Sequence, residues 1–197
     1  MKTKKRRGMQ GIARFWRDES GATAVEFGFI AIPFFMFIFG TMNLGWFYFN
    51  QHLLDRGVED AARRIRTGEA QKGGVTIAEF RNLVCNSING TGSYGTPTST
   101  LLDCSKLTIL MQSANTWADI GPQNCLSGGN QTASSGTGTD SLASLSGAQT
   151  RRVLMTACYR WEVAGQLPFL KLGNMSGNGS GAHMYSSTVA FVTEEYQ

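Results

Sequence analysis

Ser20-Gly21-Ala22-Thr23-Ala24-Val25-Glu26-Phe27 opens an uncharged run that decides how the rest of this chain is read. From Phe27 to Leu54 there is no Lys, Arg, Asp or Glu, and Phe29-Ile30-Ala31-Ile32-Pro33-Phe34-Phe35-Met36-Phe37-Ile38-Phe39 is almost wholly apolar. A helix rises about 1.5 Å per residue, so about 20 residues cross the hydrocarbon core of a bilayer, and this run is long enough. A helix in a soluble core would show a polar face every three or four residues, and none is present. The run predicts a membrane span over residues 22–54. Glu26, at its head, is the exception. A carboxylate near hydrocarbon is costly and marks a functional site by default; the alternative is an interfacial side chain turned to water.

Charge divides at the same place. Lys2, Lys4, Lys5, Arg6, Arg7, Arg14 and Arg17 precede Gly21 against only Asp18 and Glu19, a net of +5, while the chain from Ala22 onward carries 11 basic and 12 acidic residues, a net of −1. The exported part therefore gives no electrostatic reason to expect nucleic acid. The basic head reads as a topology signal, because Lys and Arg flanking a first span stay in the cytoplasm. The N-terminus is then inside and residues 73–197 outside. All four cysteines, Cys85, Cys104, Cys125 and Cys158, lie in that exported part, where an even number favours disulfides. Their spacings of 19, 21 and 33 match no zinc pattern, and there is no Cys-x-x-Cys. Four cysteines allow three pairings, and the sequence does not choose among them.

An ordinary secretory signal has an apolar region of about 7–15 residues followed by a small-x-small cleavage site. Here the apolar run is longer, and beyond it Trp46 and Tyr48 fit better as interfacial anchors. The small residues lie before the run, at Ser20-Gly21-Ala22.

A basic leader, Gly21, Glu26 five residues later, Phe27, and then an unbroken apolar helix resemble a prepilin signal of the type IV pilin class. The Glu26-Phe27 pair is similar to that of the tight-adherence (Flp) subclass. Its main pilins are very short, so a chain with a full exported domain resembles instead the TadE-like pseudopilins of the same system. Ala61-Ala62-Arg63-Arg64-Ile65-Arg66-Thr67-Gly68-Glu69-Ala70 resembles that family's post-membrane helix and turn. Phe80 to Cys85 with Leu102-Asp103-Cys104 resembles its cysteine pair, and Phe191-Val192-Thr193-Glu194-Glu195-Tyr196 its ending, with Glu195 where a Pro is usual. The resemblance implies a basic leader over 1–21 and cleavage between Gly21 and Ala22 by a prepilin peptidase. It also implies partners among the other pilins and pseudopilins, residence in the inner membrane and, for one bridge, Cys85–Cys104. The nearest-neighbour set, Cys85–Cys104 with Cys125–Cys158, is the favoured pairing.

The chemistry of such a signal follows from charge. Cleavage after Gly21 would remove the basic leader and free an α-amine on Ala22. Opposite charges in a low dielectric attract far more strongly than in water, and an unpaired carboxylate there is penalised. Glu26 would then select a neighbouring helix that offers an amine at the right height. Gly21 leaves the scissile bond unobstructed.

After the span, Leu54, Val58, Ala61 and Ile65 recur at helical period with charges on the other faces, and Gly68 is a natural stop. This predicts one helix from Ala22 to Thr67, with bends at Pro33 or Gly57 allowed, and an amphipathic extension and turn over 55–72. Thr76-Ile77-Ala78-Glu79 reads as a capping box opening a second helix over 77–88. Leu107–Gln112, Arg152–Val163 and His183–Thr193 read as strands, the last two as an antiparallel hairpin. The fold expected is α+β and pilin-like: a long N-terminal helix, then a helix packed on an antiparallel sheet. Residues 126–150, rich in Ser, Gly and Thr, read as a flexible surface loop.

No catalytic constellation, metal site or cofactor motif is expected. His52 and His183 stand apart from any ligand or nucleophile pattern, and the Gly-rich stretches near 136 and 177 are not followed by a helix pattern. The leading expectation is a structural assembly subunit. The alternative is an uncleaved, signal-anchored binding or adhesion protein, for which Glu26 would be dispensable.

Overall fold

The computed structural model describes residues 22–88, 94, 102–135, 140–143, 151–166, 172–177 and 180–194. Helix α1 runs from Ala22 to Arg66 and passes through Pro33 and Gly57 without interruption. The chain divides into two compact units, Met1–Asn43 and Leu44–Gln197. In the first, the described residues are helical, and Val25, Phe27, Phe29, Ile30, Ile32, Phe34, Phe37 and Met42 are all exposed. No 18-residue stretch of a soluble protein's core helix would look like this, because burial of one face is what holds such a helix in place.

The second unit is built on the remainder of α1. Its apolar stripe, Leu54, Val58, Ala61 and Ile65, is fully or almost fully buried, as the three-to-four spacing requires. The helix stops at Gly68, whose φ of 75° suits a residue without Cβ; Thr67 N donates to the Arg63 carbonyl and Gly68 N to that of Ile65, each at 3.0 Å. A short turn of helix, α2 (Glu69–Lys72), leads to α3 (Ile77–Ile88). The capping box at the head of α3 is formed both ways. Thr76 N donates to Glu79 Oε2 at 2.9 Å and Glu79 N to Thr76 Oγ1 at 3.3 Å; the first of these, with a bond from Thr76 Oγ1 to Glu79 Oε2 at 2.9 Å, holds the Glu79 carboxyl below its usual pKa.

Strand β1 (Leu107–Ala114) is followed by a small hairpin of β2 (Leu126–Ser127) and β3 (Asn130–Gln131), then by β4 (Arg152–Trp161) and β5 (His183–Val192). The main sheet has the order β1-β4-β5 and is antiparallel throughout. The structure is thus α+β, as the sequence implies. Val153, Met155, Ala157, Tyr159 and Trp161 of β4 point to the helices and join the stripe of α1 and the inner face of α3 in one core. The opposite face carries a second cluster of Leu110, Cys125, Cys158, Met175, Ala182 and Met184. Both faces of the central strand are therefore covered, which explains why Thr156 and Cys158 are as buried as their apolar neighbours.

Two details depart from the sequence reading. Strand β4 ends at Trp161, two residues early, and Val163 sits exposed in a turn at Glu162–Gln166. At the bend the Glu162 carboxylate pairs with Lys106 Nζ at 2.7 Å and with Arg160 at 3.0 Å. Within 126–150, the described residues also carry structure. Gly128 and Gly129, both at positive φ, make the tight turn between β2 and β3. Leu142 is fully buried, and Leu142 N donates to the Val75 carbonyl while Ile77 N donates to that of Asp140, each at 3.0 Å. These bonds fasten the segment to the entry of α3.

The cysteines pair as Cys85–Cys104 and Cys125–Cys158, with Cα separations of 5.8 and 5.5 Å. The first ties α3 to the start of β1. The second ties the β2–β3 hairpin to the centre of β4.

Candidate assembly helix and its seat

Ala22 opens α1, and Glu26 follows one turn later on the same side, about 6 Å along the axis. Glu26 is exposed, and Phe27 beside it is 69% exposed. Gly21 and the leader before it lie outside the described residues. The first turns of the helix thus place one carboxylate at the head of a column of exposed apolar side chains. Its apolar window has a mean hydropathy of 1.9 and none of it is buried, which makes α1 a candidate membrane span.

Beside the buried stripe, the described residues of the second unit hold their own part of α1 at four places. The closest is Gly57. A Cβ there would overlap Ile88 Cγ1 and lie 3.0 Å from the Val84 carbonyl and 3.2 Å from Ile88 N. The glycine lets α3 touch the backbone of α1, and Ser87 Oγ donates to Asp60 Oδ2 at 2.8 Å beside it. The second contact is aromatic. Phe47 packs edge-on against Trp161 and His183, with ring centroids at 6.0 and 4.7 Å, and against Tyr185 at 5.1 Å. The third is polar. Tyr185 OH donates to the Phe47 carbonyl at 3.2 Å, and Gln51 Nε2 donates to the Ser186 carbonyl at 3.1 Å. The fourth closes the far end of the helix, where Glu194 N donates to the Arg66 carbonyl at 2.9 Å and the two side chains pair at 3.2 Å. That bond satisfies one of the carbonyls a helix end leaves open.

Burial shapes the acid–base state of this cluster. It pushes the Tyr185 phenol far above its usual range. It also lowers the pKa of His183, partly offset by the hydrogen bond from Nδ1 to the Leu172 carbonyl. Both rings stay neutral at physiological pH and serve as packing and hydrogen-bonding groups. Asn50 is buried with its Nδ2 donating to the Trp46 carbonyl at 2.7 Å, so a polar side chain at this level is satisfied within the helix itself.

Sequence reasoning named Gly21, Ala22, Glu26, Phe27 and the four cysteines. The structure brings Ala22, Glu26 and Phe27 onto the first turns of one helix and brings the cysteines together in pairs. It adds Phe47, Asn50 and Gly57. Phe47 had a signal, since counting back seven residues from Leu54 continues the buried stripe.

The fold is a small disulfide-bonded α+β domain that follows a candidate membrane span, which is consistent with a membrane-anchored protein. A family model described as TadE-like protein matches residues 21–63, consistent with a TadE-like protein associated with the tight-adherence pilus system. No curated protein matches the chain significantly, and no solved structure does.

Proposed function

We propose that the chain is a minor pseudopilin of a tight-adherence type IV pilus, a structural and assembly subunit rather than an enzyme. In this reading it inserts with its N-terminus in the cytoplasm and its domain outside the inner membrane, and a prepilin peptidase cuts it after Gly21. The new amine on Ala22 and the carboxylate of Glu26 then pair between neighbouring helices. The observation that carries the reading is one coincidence: the TadE-like match begins at Gly21, ahead of Glu26 and Phe27, which head a stretch of helix with no further charge up to Leu54 and none of its most apolar part buried. A charge pair at about 4 Å is worth about 1 kcal/mol in water and about 4 kcal/mol at the effective dielectric of a protein surface, which is enough to select a neighbour that offers the amine. The leader would block this by covering the amine and holding the basic head in the cytoplasm. Processing would so convert a membrane anchor into a packing element whose partners are other pilins and pseudopilins.

N-terminal sequencing of the protein from cells that make the pilus machinery tests the cut. The expected mature chain starts at Ala22; one starting at Met1, or beyond residue 45, would overturn the proposal. Glu26→Gln keeps the shape and removes the charge. It should leave membrane insertion intact and lower incorporation into pili at least tenfold, the equivalent of about 1.4 kcal/mol. Unchanged incorporation would favour an uncleaved anchor with a separate binding role.

A further inference from the structure

The exported domain has two ends, and they differ in what they stand beside. At one, β4 finishes at Trp161, the chain turns through Glu162–Gln166, and β5 starts at His183. At the other, β1 finishes at Ala114 opposite Arg152, and the chain turns through Trp117–Asp119. The first end is level with a narrow band of α1. Trp46, Phe47, Tyr48 and Phe49 span only about 4.5 Å along the helix axis, and Phe47 is the residue that packs on Trp161, His183 and Tyr185. Its neighbours Trp46, Tyr48 and Phe49 stay exposed, and successive residues on a helix point 100° apart, so they face outward around most of its girth. All of these residues belong to the same compact unit as the sheet.

Tryptophan and tyrosine placed at the end of an apolar span settle at the headgroup level, with the ring in the apolar side and the polar atom in the wet side. The band fixes where the bilayer surface would lie, and the Glu162–Gln166 turn lies beside that band. Val163 is 45% exposed on this turn. A single exposed valine means nothing by itself. Here, however, Ala164 is fully buried and Leu172 packs on the core and accepts from His183, so the chain is fixed at this end on both sides. The charges beside the turn cancel. Lys106 pairs with Glu162 and Asp103, and Arg160 pairs with Glu162.

We infer that this end of the domain rests on the phospholipid surface, with Trp46, Tyr48, Phe49 and Val163 in the headgroup region and the turn acting as a second foot beside the helix. The inference rests on the reading of α1 as a membrane span. Because the nearby charges are neutralised in pairs, the contact is apolar and does not depend on anionic lipid. It limits how far the domain can tilt about α1 while the subunit is in the bilayer, and extraction into a filament would break it.

The full chain, reconstituted in phosphatidylcholine vesicles doped with a phospholipid that carries a photoactivatable diazirine near its glycerol backbone, tests this. After irradiation, label is mapped by mass spectrometry. The expected result is label on Trp46–Phe49 and on Glu162–Gln166, with Trp117–Asp119 at background although Trp117 is equally exposed. Val163→Glu should lower label on the turn severalfold and leave Trp46–Phe49 unchanged, and adding phosphatidylglycerol should change neither. Label on the apolar helix and the Trp46–Phe49 band without label on the turn, or equal label on the turn and on Trp117–Asp119, overturns the inference and leaves the span intact. Absence of label from the whole of Phe27–Phe49 overturns the span reading itself.

Discussion

Replacing Gly57 by alanine adds one methyl group at the point where α1 and α3 touch. The new Cβ would collide with Ile88 Cγ1, and Ile88 is itself buried, so its side chain has no free volume to swing into. The next two atoms in reach, Val84 O at 3.0 Å and Ile88 N at 3.2 Å, are backbone, so relief requires α3 to move. That helix is held at its start by the Thr76–Glu79 capping box and near its end by the Cys85–Cys104 bridge. An overpacked contact of this kind costs about 1–3 kcal/mol, and the absence of slack places Gly57→Ala near the upper value. Alanine gains about 1 kcal/mol in the helix over glycine, which leaves a net loss of about 2 kcal/mol. For a domain of this size the midpoint of thermal unfolding should fall by about 4–8 °C. The matching control is Gly45→Ala on the same helix, where an added Cβ meets nothing within 4 Å and stability should hold or rise slightly. Thermal unfolding of the full chain in nanodiscs, followed by near-ultraviolet circular dichroism, reads both. If Gly57→Ala is as stable as Gly45→Ala, the close approach of the two helices is wrong.

Three further outcomes follow from the same contacts. Replacing Cys85 and Cys104 together by alanine should cost about 3 kcal/mol in the chain-entropy account, and a thiol titration of the denatured, unreduced protein should find no free thiols among the four cysteines. Leu142→Ala should cost about 2–5 kcal/mol, measured by urea unfolding, because the side chain is fully buried; a change below about 0.5 kcal/mol would mean that Leu142 does not join the core. His183 has a folded pKa below its unfolded value of about 6.5, so the unfolded chain binds the proton first as pH falls. Its contribution is complete above about pH 6.5 and is lost as pH drops through 6.5 toward the lowered value. The difference in urea midpoint between pH 7.5 and 5.5 should therefore be larger for the wild type than for His183→Gln, and equal differences would contradict the burial of the ring.

The parts of this fold legible in the sequence are those whose cause is local. The stripe of Leu54, Val58, Ala61 and Ile65, the stop at Gly68 and the capping box at Thr76 each need only their own neighbours, and each appears in the structure where the pattern puts it. What the sequence conceals depends on distant partners. Gly57 reads as a flexible point until α3 is in place against it. Leu142 is one leucine among serines and glycines, and only its burial against the folded domain shows that it is core. Gly128-Gly129 is a hairpin signal, but the strands it joins are two residues each and show no alternation. In the candidate site, Glu26 was legible because it is the lone charge at the head of an apolar run. Phe47 lies on the same stripe, seven residues before Leu54, but its run of aromatics hides which ring packs on the domain.

The change in what α1 presents takes place within two turns, between Trp46 and Leu54, and hydrogen bonding explains how so short a stretch can be held. The Phe47 carbonyl already accepts within the helix and still has a lone pair, which Tyr185 OH uses. One turn on, the Gln51 side chain donates outward to the Ser186 carbonyl. The helix and the first residues of β5 so exchange one bond in each direction, from adjacent residues of the strand to positions four apart on the helix. Two such bonds fix rotation about the helix axis, which a smooth apolar stripe alone leaves loose. A domain seated by apolar contacts only could turn on α1 by repacking side chains. With Tyr185 and Gln51 in place, any such turn must first leave a buried hydroxyl without an acceptor, at a cost of about 1–3 kcal/mol. Tyr185→Phe tests that step: the fold should persist with a modest loss of stability, while hydrogen exchange at the first residues of β5 should speed up more than at β1.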